Sequence, residues 1–121
     1  MPTVALSAKA GVKQGAPVQF KVLSCPRSDV KIEDVTGGQR RGWWNLYGTT
    51  AIANQWYWKG EISPDGQHWQ MLYRSEAPVQ GGLLIEFNTR TVPGGAYQIR
   101  LTAVDRTGNY PDPCVIEVTT E

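Results

Sequence analysis

The sequence lacks the residues and motifs that several large functional classes require. A single histidine, His68, and two cysteines without CxxC spacing leave no candidate for a hydrolytic triad or a cysteine-based metal site. Motifs of the GxGxxG and P-loop types are missing, so nucleotide binding has no support. We therefore predict a protein that is not an enzyme, that has no metal or other cofactor, and that carries His68 as an ordinary surface residue.

The chain also has no excess of one sign of charge and no long apolar run. The 12 basic and 11 acidic side chains nearly cancel, and Arg40-Arg41 is too short a basic run to indicate more than a solvated turn. No segment approaches the ~20 apolar residues of a membrane span. We expect neither nucleic-acid binding nor membrane insertion.

The first residues, MPTVALSAKAG, lack the basic start and apolar run of a signal peptide. Either a leader has been removed from this chain, or the protein is not exported by that route. A virion protein assembled in the cytoplasm needs no such signal, so this start slightly favours a virion component over an exported wall protein. Localisation at a cell surface and at a virion surface both stay open.

The residues that are present predict strands and turns. The chain has thirteen glycines and eight prolines, and it has no long stretch rich in Ala, Leu, Glu and Lys. Helix should therefore be nearly absent. Residues 96–118 alternate apolar and polar side chains on both sides of the DRTGNYPDP turn, which is typical of an antiparallel hairpin with one face in a core. Comparable alternating runs recur about every ten residues, the spacing expected of a β-sandwich.

We predict one chain of 121 residues with an N-terminal β arm or hairpin at residues 1–24 and a sandwich at residues 25–121. Further strands are expected at residues 3–8, 18–22, 30–35, 43–48, 55–62, 68–74 and 83–87. Strict alternation predicts three inward-facing sets of side chains. They are Trp44, Leu46 and Gly48; Trp56, Trp58 and Ile62; and Leu83, Ile85 and Phe87.

Residues 25–119 resemble bacterial Ig-like (fibronectin-III-like) modules of cell-wall and surface proteins. The matching pieces are Cys25-Pro26 before VKI, the LYGT segment leading to Ala51, WKGEISPDGQHW, Val79 with GGLL, and NTRTVPGGAYQIRLTAVDRTGNYPDPC. The resemblance implies an antiparallel Ig-like β-sandwich that is non-catalytic and occurs beside other domains, such as wall-synthesis or wall-binding enzymes. The chain departs from this family in its N-terminal extension and in Gly60, where a large apolar residue is usual.

The two cysteines are predicted to pair. Cys25 opens the first family-like strand and Cys114 opens the last, and the first and last strands of an Ig-like sandwich run parallel, so both starts fall at one end. A disulfide between them is the expectation, since exported proteins commonly use them. Two unpaired structural thiols are the alternative.

Aromatic and acidic side chains supply the other candidate sites. Trp43, Tyr47 and Tyr57 are the aromatic residues expected to point outward, as a ligand or partner surface. The strands that carry Trp43 and Tyr57 are expected in opposite sheets, which would keep their rings apart. Burial of the aromatic rings in the core or beneath the N-terminal arm is therefore favoured over a glycan-binding surface. Asp105, Asn109 and Asp112 could offer oxygen ligands for Ca²⁺, but the same residue types stabilise tight turns.

Three functional hypotheses follow. The first is a structural or adhesive module of a cell surface, filament or virion of the decoration type, acting through contacts with other proteins or copies of itself. Under this first hypothesis, residues 3–23 add a strand to the sheet of their own chain or to the sheet edge of an adjacent subunit. The second is a carbohydrate-binding module associated with cell-wall enzymes. The third, a small enzyme, would have to use carboxylates such as Glu61 or Asp65.

Overall fold

The structure is a computed structural model and describes residues 15–38 and 40–120. Within these ranges the chain forms eight β-strands, one 3-10 turn at Thr89–Thr91 and no α-helix. The strands are β1 (Lys21–Ser24), β2 (Val30–Gly37), β3 (Trp43–Thr50), β4 (Gln55–Ser63), β5 (Gln70–Ser75), β6 (Val79–Asn88), β7 (Gly95–Asp105) and β8 (Cys114–Thr120). The described residues hold no helix with the length and apolarity needed to cross a membrane.

Two antiparallel sheets make up the fold. One has five strands in the order β1-β8-β7-β4-β5, and the other has three in the order β2-β3-β6. Most of the buried apolar side chains form one cluster that draws on strands of both sheets. The predicted all-β, Ig-like sandwich is therefore confirmed.

The hairpin of β7 and β8 agrees closely with the sequence pattern. Its register runs from Gly95 opposite Thr120 to Leu101 opposite Cys114. Gly108 in the connecting turn has a φ of 88°, a conformation that favours glycine. The alternating apolar side chains of both strands are buried, as predicted: Tyr97, Ile99, Leu101 and Ala103 in β7, and Ile116 and Val118 in β8.

Trp58 is the largest fully buried side chain of the core. Its indole Nε1 donates a hydrogen bond of 2.8 Å to the carbonyl of Ala77, so burial leaves no unpaired donor on the ring. The three-stranded sheet contributes Val30, Ile32, Val35 and Leu46 to the same core.

The inward orientation predicted for Trp56 from strict alternation is wrong, because this side chain is 40% exposed. The pairing of β4 with β7 shifts between Gln55 and Tyr57, so the ladder gives Trp56 no partner. Such a bulge breaks the two-residue period of a strand. The indole that was expected inside the sandwich therefore lies at its surface.

A second bulge explains the exposed side chain of Leu83, which was also expected inside. In the pairing of β3 with β6, Leu46 lies opposite Ile85 and Tyr47 lies opposite Leu83, so Leu84 is the extra residue. Leu84 and Ile85 are both buried although they are neighbours in sequence. Because the bulge reverses the alternation, Leu84 takes the inward place predicted for Leu83.

The N-terminal segment packs on the same sandwich and crosses between its sheets. Val18 N donates to the carbonyl of Val35, and Gly37 N donates to the carbonyl of Ala16, both at 2.8 Å, which extends the three-stranded sheet beyond β2. The chain then enters the other sheet, where β1 pairs antiparallel with β8. The described part of the predicted arm thus pairs within its own chain, whereas the strand predicted at residues 3–8 lies outside the described residues.

A disulfide joins Cys25 to Cys114 across 89 positions of sequence, as predicted. It links the residue after β1 to the first residue of β8 and is fully buried on the Cys114 side. Together with β1, it closes one side of the sandwich.

Candidate functional site

The outward face of the five-stranded sheet carries polar and aromatic side chains from two adjacent strands. In β4, Tyr57, Lys59 and Glu61 alternate with the core-facing positions. The register of β4 with β7 brings each of them opposite a partner: Tyr57 opposite Val104, Lys59 opposite Thr102 and Glu61 opposite Arg100. Directly opposed side chains on one face are close enough to interact.

These six residues form the floor of a cavity of about 210 Å³, which we call the outer groove. The loop between β7 and β8 supplies its remaining wall through Gly108, Tyr110 and Pro113. Tyr110 exposes 64% of its surface, so most of the residue is accessible at the rim of the groove. Small-ligand sites combine aromatic surface with a few placed polar groups, and the outer groove holds both kinds of side chain, with an unusually polar floor.

A partly buried ion pair, with the carboxylate as its buried member, lies on the floor of the groove. Glu61 is only 8% exposed, and Arg100 donates to its Oε1 from both Nε (3.2 Å) and Nη2 (2.9 Å). Lys59 Nζ lies 3.7 Å from the other carboxylate oxygen. Burying a carboxylate is costly unless it is paired in this way, and such a pair often adds little net stability. We therefore expect the pair to position the side chains of the groove floor rather than to stabilise the fold.

Aromatic rings hold the cations in place. The Arg100 guanidinium carbon lies 3.9 Å from the centre of the Trp69 ring, so Arg100 is fixed between a ring and a carboxylate. Arg74 covers Tyr57 in the same manner at 4.0 Å, and Trp56 meets the edge of Tyr57 with 5.0 Å between ring centres. The floor of the groove is thus ordered before any ligand arrives.

The wall of the groove is ordered by Asp105. Its Oδ1 accepts hydrogen bonds from the backbone N–H groups of Thr107 (2.8 Å) and Asn109 (3.2 Å), and its own N–H donates to the carbonyl of Asn109 at 2.9 Å. Hydrogen bonds from the hydroxyl and the backbone N–H of Thr107 lower the pKa of the Asp105 carboxyl. Asp105 thereby fixes the turn that precedes Tyr110.

Two of the residues considered as Ca²⁺ ligands therefore have a turn-stabilising role. Asp105 accepts backbone hydrogen bonds, and Asn109 donates from its amide to the Thr107 hydroxyl at 3.1 Å. Asp112 is exposed farther along the loop. Within residues 15–38 and 40–120, no three His, Cys, Asp or Glu side chains meet in a group that could hold a metal ion.

The three aromatic residues predicted to face outward do not meet. Trp43 and Tyr47 lie in the three-stranded sheet and Tyr57 lies in the five-stranded sheet, the separation that was expected. Tyr47 is buried, although it is not part of the core cluster and lies opposite the exposed Leu83. The pairing of β3 shifts at this point on both of its sides, but the extra residues are Glu33 of β2 and Leu84 of β6, so β3 itself keeps its alternation. Of the three predicted residues, Tyr57 alone lines the outer groove.

Arg100 and Tyr110 are groove residues that the sequence analysis missed. Arg100 occupies an outward position in the alternation of β7, which was a usable signal, but its pairing with Glu61 depends on register. Tyr110 lies in a loop, where periodicity says nothing. The exposed side chain of Tyr110 and the buried charge of Glu61 became apparent only when the two strands and the loop were brought together.

The carboxylates considered for an enzymatic role are both engaged. Glu61 is bound by Arg100, and Asp65 lies in the turn between β4 and β5, where it pairs with the exposed His68 at 2.6 Å. No protein-family model, curated protein or solved structure matches this chain. Any functional inference therefore depends on the residues themselves.

Proposed function

We propose that this chain is a non-catalytic Ig-like module that acts through protein–protein contacts in a larger assembly of a bacterial cell surface, filament or virion. The sandwich with its closing disulfide supports this proposal, as does the resemblance of residues 25–119 to bacterial surface modules. A buried disulfide is compatible with an extracellular location, where such bonds persist.

The observation that carries the proposal is the exposed edge strand β5. It ends the five-stranded sheet, and its Met71 and Tyr73 side chains are 51% and 49% exposed. An exposed apolar edge strand offers unpaired backbone groups and apolar contacts to another chain, a common mode of protein association. At the other edge of this sheet, β1 pairs with β8, and its Val22 and Leu23 side chains are also exposed.

Site-specific photo-crosslinking tests this proposal. A photoreactive phenylalanine analogue at position 71 should give a defined protein adduct in the source cells or particles, identified by mass spectrometry. The matched control is the same analogue at Val22, which is equally exposed but lies in β1. Sedimentation of the purified chain over a concentration series then distinguishes self-association from binding to a different protein. A monomer in solution with no adduct specific to position 71 would contradict the proposal.

Carbohydrate binding is a second candidate function, and the outer groove is the observation that favours it. Sugar rings stack on aromatic side chains and hydrogen-bond to charged groups beside them. Tyr110 at the rim and Lys59, Glu61 and Arg100 on the floor offer both kinds of contact. In this reading the chain would serve as a carbohydrate-binding module working beside cell-wall enzymes.

A further inference from the structure

We propose that the outer groove binds a sugar unit that carries a carboxylate, of the uronic-acid type, and that Lys59 is the residue that receives the carboxylate. The inference rests on the second candidate function, carbohydrate binding, and goes beyond it by naming the class of sugar. It is independent of the β5 edge, which lies outside the groove.

The charges of the groove select an anionic ligand. Two cations, Lys59 and Arg100, and one carboxylate, Glu61, line the floor, which leaves one positive charge uncompensated. Arg100 directs two donors to Glu61 and is held by Trp69. Lys59 Nζ is 3.7 Å from Glu61, beyond hydrogen-bonding distance, so its N–H donors remain available to a ligand. Lys59 is thus the cation that can bind an added carboxylate.

The apolar part of the groove selects a sugar over a simple anion. Tyr110, Pro113 and Val104 present ring and aliphatic surface beside the charged floor. A pyranose ring has an apolar face of C–H groups that stacks on an aromatic ring, whereas acetate or phosphate has none to offer. The volume of about 210 Å³ is smaller than the roughly 300 Å³ at which pockets for drug-sized ligands begin, so one sugar unit is the expected occupant.

The fixed positions of the floor residues favour binding without rearrangement. Trp69 and Glu61 hold Arg100, and the hydrogen bonds of Asp105 hold the loop before Tyr110. Pre-organisation lowers the entropy cost of association, which otherwise removes most of the affinity for a small ligand. The second oxygen of Glu61 faces Lys59 Nζ at 3.7 Å, accepts no hydrogen bond among the described residues, and can accept one from a sugar hydroxyl.

Titration of the isotope-labelled full chain, followed by two-dimensional NMR, tests the inference. The probes are D-glucuronate, D-glucose and acetate at equal ionic strength. We expect glucuronate to shift the amide signals of residues 57–61, 100–104 and 108–113, with an affinity about tenfold higher than that of glucose, because a charge-assisted hydrogen bond is added. Acetate should leave the same signals nearly unchanged.

Two variants with a matched control sharpen the test. Lys59→Met keeps the aliphatic stem, so it should weaken glucuronate binding about tenfold and glucose binding by a much smaller factor. Tyr110→Ala should weaken the binding of both sugars, because it removes the stacking ring. The control is Lys31→Met in β2, an exposed lysine of the other sheet, which should change neither.

The possible failures are distinguishable. Equal affinities for glucose and glucuronate would overturn the acidic-sugar inference while leaving carbohydrate binding intact. Absence of groove shifts with both sugars would overturn the inference and the second candidate function together. Acetate binding in the groove as tightly as glucuronate would overturn the claim that a sugar ring is recognised.

Discussion

At the scale of single residues, Gly60 shows how a missing side chain sets the contact between two sheets. A Cβ added to Gly60 would overlap Cδ1 of Ile85, which reaches across from β6. The sequence resemblance leads one to expect a large apolar residue at this position of β4. Here Ile85 occupies that space from the opposite sheet, so the core is filled from the other side.

Gly60→Ala should therefore destabilise the fold by about 1–3 kcal/mol, because the added methyl overpacks the core. Ile85→Val removes the overlapping Cδ1 methyl and by itself should cost about 0.5–1.5 kcal/mol. The double variant should be more stable than the sum of the two single effects predicts. Urea unfolding of the four proteins measures this coupling, and additive effects would show that the two positions do not contact each other.

Asp65 is the residue through which acid should loosen the β4–β5 turn. Backbone N–H groups of His68 and Gln67 and the side chain of His68 lower the pKa of the Asp65 carboxyl. A group whose pKa is lowered by folding stabilises the fold above its unfolded pKa of about 4, and this contribution is lost as pH falls through the lower folded value.

Asp65→Asn should consequently reduce stability at pH 7, and the difference from the parent chain should shrink as the pH falls below about 4. Urea midpoints measured between pH 2 and pH 7 test this. Glu86→Gln, at an exposed position of β6, is the control. A difference that stays constant over the whole pH range would mean that the charge of Asp65 has no part in the turn.

At the scale of strands, the ion pair between Glu61 and Arg100 couples β4 to β7 across the groove floor. Arg100→Met leaves a buried carboxylate without its main donors, which should cost about 1–3 kcal/mol. Changing Glu61→Leu in the same chain removes that unpaired charge and should restore much of the loss. Unfolding free energies of the single and double variants measure the coupling. A double variant as unstable as the sum of the single changes would contradict a direct interaction.

The strands themselves could be predicted from sequence, because most of them alternate apolar and polar side chains between turn residues. The exceptions are the bulges at Trp56 in β4 and at Leu84, next to Leu83, in β6. A bulge adds one residue to a strand without changing its composition, so the alternation gives no warning of it. Each bulge moved a side chain away from its predicted face.

The outer groove was only partly predictable for a related reason. Tyr57 was expected on the outward face of its strand, Lys59 and Glu61 share that face by alternation, and all three line the groove. That Arg100 faces Glu61 depends on the register of two strands distant in sequence. The position of Tyr110 depends on hydrogen bonds of Asp105 in a loop. Neither register nor loop geometry can be read from periodicity.

At the scale of the whole molecule, the disulfide is the constraint that spans most of the chain. It closes a loop across 89 positions, for which the chain-entropy model assigns about 4–5 kcal/mol, with measured gains often smaller. Cys25→Ala with Cys114→Ala should lower the free energy of unfolding by up to that amount. Chemical denaturation of the oxidised chain, the reduced chain and the double variant measures it. Equal stability of all three would mean that the bond does not constrain the unfolded chain.

We propose that the β5 edge contacts another protein chain. Hydrogen–deuterium exchange of residues 70–75 tests it most directly, measured in the isolated chain and in the native assembly. We predict slower exchange of these amides in the assembly than in isolation, while the amides of β7, which is already paired on both sides, exchange equally slowly in both. Equally fast exchange of residues 70–75 in the two states would contradict the claim.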